Sequence, residues 1–228
     1  MQHEVSEIAA VLWDMDGTLV DTEPYWIERE HEIVREHGNG QWTDDHAHAL
    51  VGFDLRDSAR YISEHGEIDL PVDDIVNLLL DGVIERVHRQ MPWRPGAREL
   101  LAEINAAGIP CALVTMSWKR FADAVIPALP VGSFTTVVAG DDVRNGKPHP
   151  EPYLAAAAML GALPQHCIAI EDSPTGVRSA VAAGCVTVTV PHVVEVPDSL
   201  GAHRLPTLAG VRLADLAALM SASQLALE

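Results

Sequence analysis

The chain is 228 residues long with a formal net charge of −18, so it fits one large domain or a domain carrying an insertion, and nucleic acid or anionic membranes are poor partners for it. Its apolar content of 48% is ordinary, and no apolar stretch approaches the ~20 residues of a membrane span. The opening MQHEVSEIAA is acidic and lacks the basic-then-apolar pattern of a secretory leader, which makes a cytoplasmic protein the expectation.

The first element is the apolar run Ile8–Trp13, which suits a strand buried on both faces. It runs into Asp14-Met15-Asp16-Gly17-Thr18. Residues two apart in an extended chain begin on one side, so both aspartates would start together at the carboxyl end of a strand, until Gly17 lets the chain turn. Open α/β sheets bind ligands at that end. Two carboxylates ~4 Å apart repel by roughly 4 kcal/mol at an effective dielectric near 20, so a cation, a proton or both must offset them. A plain Asp-Gly turn with solvated side chains is the bland alternative.

Residues 24–92 contain no strand-like run. Helices are expected at 24–37, 43–50, 54–65 and 72–91, an all-helical block that reads as an insertion. From Pro92 the pattern alternates: helix 96–107, strand 109–115, helix 118–128, strand 134–140, helix 150–161, strand 167–172, helix 174–183 and strand 185–190. A tail from 199 supplies a short helix or two. The expected fold is therefore α/β, a Rossmann-like parallel sheet core at 1–20 and 94–228 with an inserted helical domain at 21–93. Cys111, Cys167 and Cys185 lie in or beside expected strands and read as reduced core residues.

The other strand ends carry the remaining chemistry. Thr115 and Ser117 close one strand, where hydroxyls and helix-start amides can hold phosphate oxygens, although Ser117 also suits a helix N-cap. The chain has thirteen arginines and only two lysines, Lys119 and Lys147. A lysine retained at 147 suggests a task for a compact ammonium, such as meeting a phosphate and a carboxylate together. Asp141 and Asp142 read as loop-shaping or solvated. Glu171 and Asp172 end a further buried strand. Asp172 also suits a helix N-cap, but its position favours a hard cation such as Mg²⁺ held by Asp14, the backbone carbonyl of Asp16 and Asp172.

These residues together resemble the haloacid dehalogenase-like superfamily, in its phosphatase and phosphomutase branch with a helical cap. The resemblance rests on Asp14-Met15-Asp16-Gly17-Thr18, Thr115, Lys147 and Glu171-Asp172 in the family's order, and it covers essentially the whole chain. It implies Asp14 as a nucleophile that forms an aspartyl-phosphate, and Asp16 as general acid and base. It also implies Thr115, Ser117 and Lys147 around the phosphoryl group, Mg²⁺ at Asp14, Asp16 and Asp172, and Glu171 in support. Dehalogenation does not fit, because dehalogenases lack the aspartate that Asp16 matches. Phosphonate cleavage needs a cap lysine, and residues 21–93 contain none. The rival is a β-phosphoglucomutase-like phosphomutase, but Trp26, Val51 and Leu55 stand where that family has histidine, lysine and arginine, with Arg56 one place away. The expectation is a phosphatase of a small phosphorylated metabolite, monomeric or a small homo-oligomer. Glu23, Gly52, Phe53 and Arg56 are its candidate cap-side contacts. A non-catalytic binding protein on the same fold is the third reading.

Overall fold

The computed structural model describes residues 8–50 and 55–225. The first apolar run forms β1, Ala10–Trp13, with all four residues buried. It starts two residues later than the sequence suggests, with the Ala9 N–H bonded to the carbonyl of His166, just before β4. Strands β2 (Cys111–Val114), β3 (Thr136–Val138), β4 (Cys167–Glu171), β5 (Val186–Thr189) and β6 (His203–Arg204) complete one parallel sheet in the order β3-β2-β1-β4-β5-β6. Strand β6 and its register with Val188 and Thr189 were not expected from the sequence. Two residues are too few for any periodicity to declare them.

Strand order reverses across β1, which has β2 on one side and β4 on the other. The crevice of an open α/β sheet lies beyond the carboxyl ends at such a point. Trp13 is level with Leu113 on β2 and with Ile170 on β4. The next residues out are therefore Asp14, Val114 and Glu171, side by side.

The chain divides into two compact units, one running to Asp21 and resuming at Trp93, the other Thr22–Pro92. The second unit is all-helical: α1 (Glu23–His37), α2 (Asp44–Ala49), α3 (Leu55–His65) and α4 (Val72–Arg89). Pro24 sits in the first turn of α1, where its missing N–H costs nothing. Thr43 caps α2 in a box closed by His46. Helix α4 buries Ile75, Val76, Leu79, Leu80, Val83 and Val87, a stripe at helical spacing, with Asp73 and Asp74 in its first turn and Arg86, His88 and Arg89 in its last, as the helix dipole favours.

In the α/β unit, α5 (Ala97–Ala106), α6 (Lys119–Val125), α7 (Glu151–Met159), α8 (Pro174–Ala182) and α9 (Leu213–Leu225) flank the sheet. The tail thus ends in one 13-residue helix. Ala156 and Ala157 of α7 and Ala180 of α8 join Leu12, Val114 and Ala169 of the strands in one buried cluster. Small side chains let those helices approach the sheet. The three cysteines are free and buried; burial pushes Cys111 up to about 12, Cys167 to about 11 and Cys185 to about 12. Such thiols pack rather than react. Among the described residues, no helix is long and apolar enough to cross a membrane.

Candidate active site

Lys147 organises the carboxyl end of the sheet. Its ammonium donates to Asp14 Oδ1 at 2.7 Å, to the carbonyl of Val114 at 2.9 Å and to Glu171 Oε1 at 2.6 Å. All three of its hydrogens are spent, and its side chain is only 4% exposed. Burial alone would drive off the proton, but Asp14 and Glu171 reverse that and hold the pKa above the usual lysine value. The loop carrying Lys147 is tied down on both sides. Glu151, at the start of α7, accepts from the N–H groups of Arg144 and Asn145 and from the Asn145 amide, and Ser179 of α8 donates to the carbonyl of His149 at 2.6 Å.

Glu171 is fully buried, and both its oxygens are occupied. Oε1 receives Lys147 and the Tyr153 hydroxyl at 2.6 Å; Oε2 receives the Asp172 N–H at 3.2 Å and the Ser173 hydroxyl at 3.3 Å. Gly176 makes room for this carboxylate, since a Cβ there would lie 1.9 Å from Oε1. Gly17 does the same for Asp172: its φ is +86°, and a Cβ would meet Asp172 Oδ2 at 2.1 Å. The glycine in the first motif therefore allows the turn and also admits a carboxylate from β4.

Asp14 is asymmetric. Oδ1 takes the Lys147 hydrogen bond, while Oδ2 is buried with no hydrogen-bond partner. Burial raises the Asp14 pKa well above the usual range despite Lys147, and Glu171 and Asp172 add to the rise. Asp172 is pushed up to about 7, first by burial and then by Glu171. Carboxylate oxygens of Asp14, Glu171 and Asp172 lie within 4.8 Å of one another. An orphaned oxygen and a group of all-oxygen donors whose charge is penalised fit a hard divalent cation, which would offset that penalty. Asp14 and Asp172 would hold it, with Glu171 already engaged elsewhere.

Asp16 faces different company. Its Oδ2 accepts from Ser117 Oγ at 2.7 Å and more weakly from Thr115 Oγ1 at 3.4 Å. Thr115 in turn accepts the Ser117 N–H at 3.0 Å. The first strand ends at Trp13, so strand alternation does not extend to this pair, and the two aspartates take separate partners. Ser117 is not the side-chain cap of α6; Asp141 does that work by accepting the Lys119 N–H at 2.8 Å. Asp142 accepts from the Ala139 N–H, so both loop aspartates shape the backbone.

Two of the cap-side candidates lie among the described residues of the helical unit. Glu23 opens α1, and Arg56, on α3, donates to Asp73 in an exposed ion pair at 3.1 Å within the helical unit. Gly52 and Phe53 lie outside the described residues. Sequence reasoning missed Tyr153, which stands in an alanine-rich helix and reads as core. Its signal was a buried-type aromatic with a hydroxyl, six residues after Lys147.

Residues 11–190 match the model of the haloacid dehalogenase-like hydrolase family. The chain is 33% identical over 184 residues to a phosphorylated carbohydrates phosphatase of Thermotoga maritima, covering 77% of this chain and 81% of that protein. It is also 33% identical to hexitol phosphatase A of Escherichia coli over 200 residues, covering 82% and 84% respectively. Among solved structures, CbbY from Rhodobacter sphaeroides in complex with xylulose-(1,5)bisphosphate superposes with a TM-score of 0.77 at 27% identity, covering 91% of this chain and 98% of that one. The matched span includes the whole Lys147-centred cluster, strands β2 to β5 and all of β1 but Ala10, and the chain belongs to the haloacid dehalogenase-like hydrolases.

Proposed function

We propose that the protein is a Mg²⁺-dependent phosphatase that releases inorganic phosphate from a small phosphorylated metabolite of the sugar- or polyol-phosphate class. The observation that carries this reading is the divided Asp14 carboxylate, with one oxygen clamped by Lys147 and the other buried without a hydrogen bond. In this reading Asp14 attacks phosphorus, forms an aspartyl-phosphate and expels the alcohol. Asp16 gives the leaving oxygen its proton and then takes one from the water that opens the intermediate. Thr115 and Ser117 offer hydroxyl and amide donors to the phosphoryl oxygens. Lys147, with its hydrogens already committed, holds Asp14 in place and supplies positive charge beside the transfer. Asp14, Asp172 and the Asp16 carbonyl would hold Mg²⁺, which would supply charge neutralisation at the phosphoryl group when bound.

The helical unit is assigned the role of a cap, expected over 21–93, that selects the substrate and excludes bulk water. Two relatives named for carbohydrate and hexitol phosphates support the substrate class. Three buried free thiols suit a reducing, cytoplasmic setting. Hydrolysis is favoured over mutase chemistry because Trp26, Val51 and Leu55 stand where the mutases carry histidine, lysine and arginine. Phosphate release from a panel of sugar and polyol phosphates, with Mg²⁺ and after EDTA, tests the assignment; turnover that survives EDTA removes the metal from it. With β-glucose 1-phosphate, isomerisation that outruns hydrolysis would move the protein to the mutases.

A further inference from the structure

We propose that Tyr153 is a positioning residue for phosphoryl transfer: through Glu171, its hydroxyl fixes the Lys147 ammonium against Asp14. The proposal rests on the phosphatase reading above, but its structural half can be measured without turnover.

Glu171 Oε1 receives two donors at the same distance, Lys147 Nζ and Tyr153 Oη, both at 2.6 Å. Together with the two donors on Oε2, the Tyr153 bond leaves the carboxylate no unopposed direction in which to rotate. Lys147 therefore meets a fixed acceptor, and its third hydrogen is directed at Asp14 Oδ1. The Tyr153 ring adds a wall, with Nζ 5.1 Å from its centroid, within cation–π range. Tyr153 is 0% exposed within an otherwise apolar cluster. A phenylalanine would fill that space without burying a hydroxyl, so packing alone gives no reason for the oxygen. The hydroxyl instead donates to Glu171.

Removing the hydroxyl halves the donors on Oε1 and lets the carboxylate turn, carrying the ammonium with it. Asp14 would then lose the fixed orientation of its attacking oxygen. This should lower kcat more than it raises KM, because Tyr153 is fully buried and acts through Glu171.

The chain's two lysines make the test direct. With ¹⁵N-lysine labelling only Lys119 and Lys147 carry Nζ signals, and the buried ammonium of Lys147 is the one protected from solvent exchange. In Tyr153→Phe, its resonance should shift and its hydrogens should exchange several-fold faster, while the Lys119 signal stays put. The kcat should fall about tenfold, the worth of one hydrogen bond to a charged group, with KM changed by less than about threefold. In a Glu171→Gln background the same substitution should cost little more, since both changes act through one carboxylate. Urea unfolding checks that each variant is folded under assay conditions. An unmoved Lys147 resonance overturns the proposal whatever the rates do. A moved resonance with kcat unchanged, or full additivity with Glu171→Gln, also overturns it. If the wild type hydrolyses no phosphate ester, the phosphatase reading falls separately, and the resonance alone decides whether Tyr153 holds Lys147.

Discussion

Glu171 in the α/β unit and Glu30 in the helical unit are both buried, at 0% and 5% exposure. Their surroundings are opposite. Glu171 receives four donors, one of them an ammonium. Glu30 has a buried Oε2 with no hydrogen-bond partner, and burial followed by the charge of Glu23 pushes it up to about 8, with only the Trp42 indole opposing. One buried acid is given a cation, and the other keeps its proton. Burying an isolated carboxylate is costly enough that neutralisation is the ordinary escape. The α/β unit instead sets the Lys147 ammonium directly against Glu171. The resulting buried charge is arranged beside Asp14, where chemistry can use it. Among the described residues, Glu30 Oε2 has no hydrogen-bond partner.

That contrast is tested most severely at Asp14. Asp14→Asn should reduce kcat by on the order of 10⁴-fold, because the nucleophile is gone. It should not weaken the fold, since burial already disfavours this carboxylate. Near-normal turnover in protein free of contaminating phosphatase would disprove the proposed chemistry. A large fall in thermal stability would instead show that Asp14 is mainly structural.

Lys147→Arg comes next. The guanidinium is a planar fork, and the site offers Asp14 Oδ1, Glu171 Oε1 and the Val114 carbonyl around a single point. We expect kcat to fall by about 10²-fold with the fold retained. Full activity would mean that positive charge, and not its placement, is what the site requires.

Much of this arrangement was legible in the sequence, and what was missed has physical reasons. Short runs of apolar and β-branched residues marked the five principal strands, as strands of a covered parallel sheet should be. Lysine scarcity singled out Lys147. The two-residue strand β6 carried no periodic signal. Glu30 lies on α1 among ordinary surface-type glutamates, and only the packing of the helix shows that this one is buried. Tyr153 hid for the opposite reason: its ring satisfies the core pattern of α7, and a hydroxyl is silent in hydropathy. The placement of Asp14 and Asp16 relative to each other depended on where β1 stopped, and strand ends are what periodicity resolves least.

Glu30→Gln probes the other side of the comparison. A carboxyl whose pKa rises from 4.5 unfolded to about 8 folded binds more protons in the native state between those values. Wild-type stability contributed by this group is therefore present below pH 4.5 and is lost as pH rises towards 8. Glutamine cannot ionise, so the variant should gain on the wild type across that window, by roughly 3 kcal/mol between pH 5 and pH 7.5. Urea unfolding of both proteins at several pH values measures the difference. Parallel stability curves would show that Glu30 reaches solvent, or a cation, when the protein is in solution.

The smallest effect should come from the same chemical change as at Lys147, made at the chain's other lysine. Lys119 pairs with Asp123 one helical turn on, at 3.0 Å, and the two side chains are 48% and 55% exposed. An exposed pair of this spacing contributes about 0.5 kcal/mol or less, and arginine can replace the contact without finding a fixed geometry. The backbone N–H of Lys119, which Asp141 caps, is untouched by the substitution. Lys119→Arg should therefore match the wild type in kcat, KM and unfolding midpoint within error. The pair of substitutions then isolates burial as the variable, since the residues exchanged are identical and only their surroundings differ. Equal losses at both positions would show that the scarcity of lysine reflects the composition of the chain and marks no special task for the ammonium at 147.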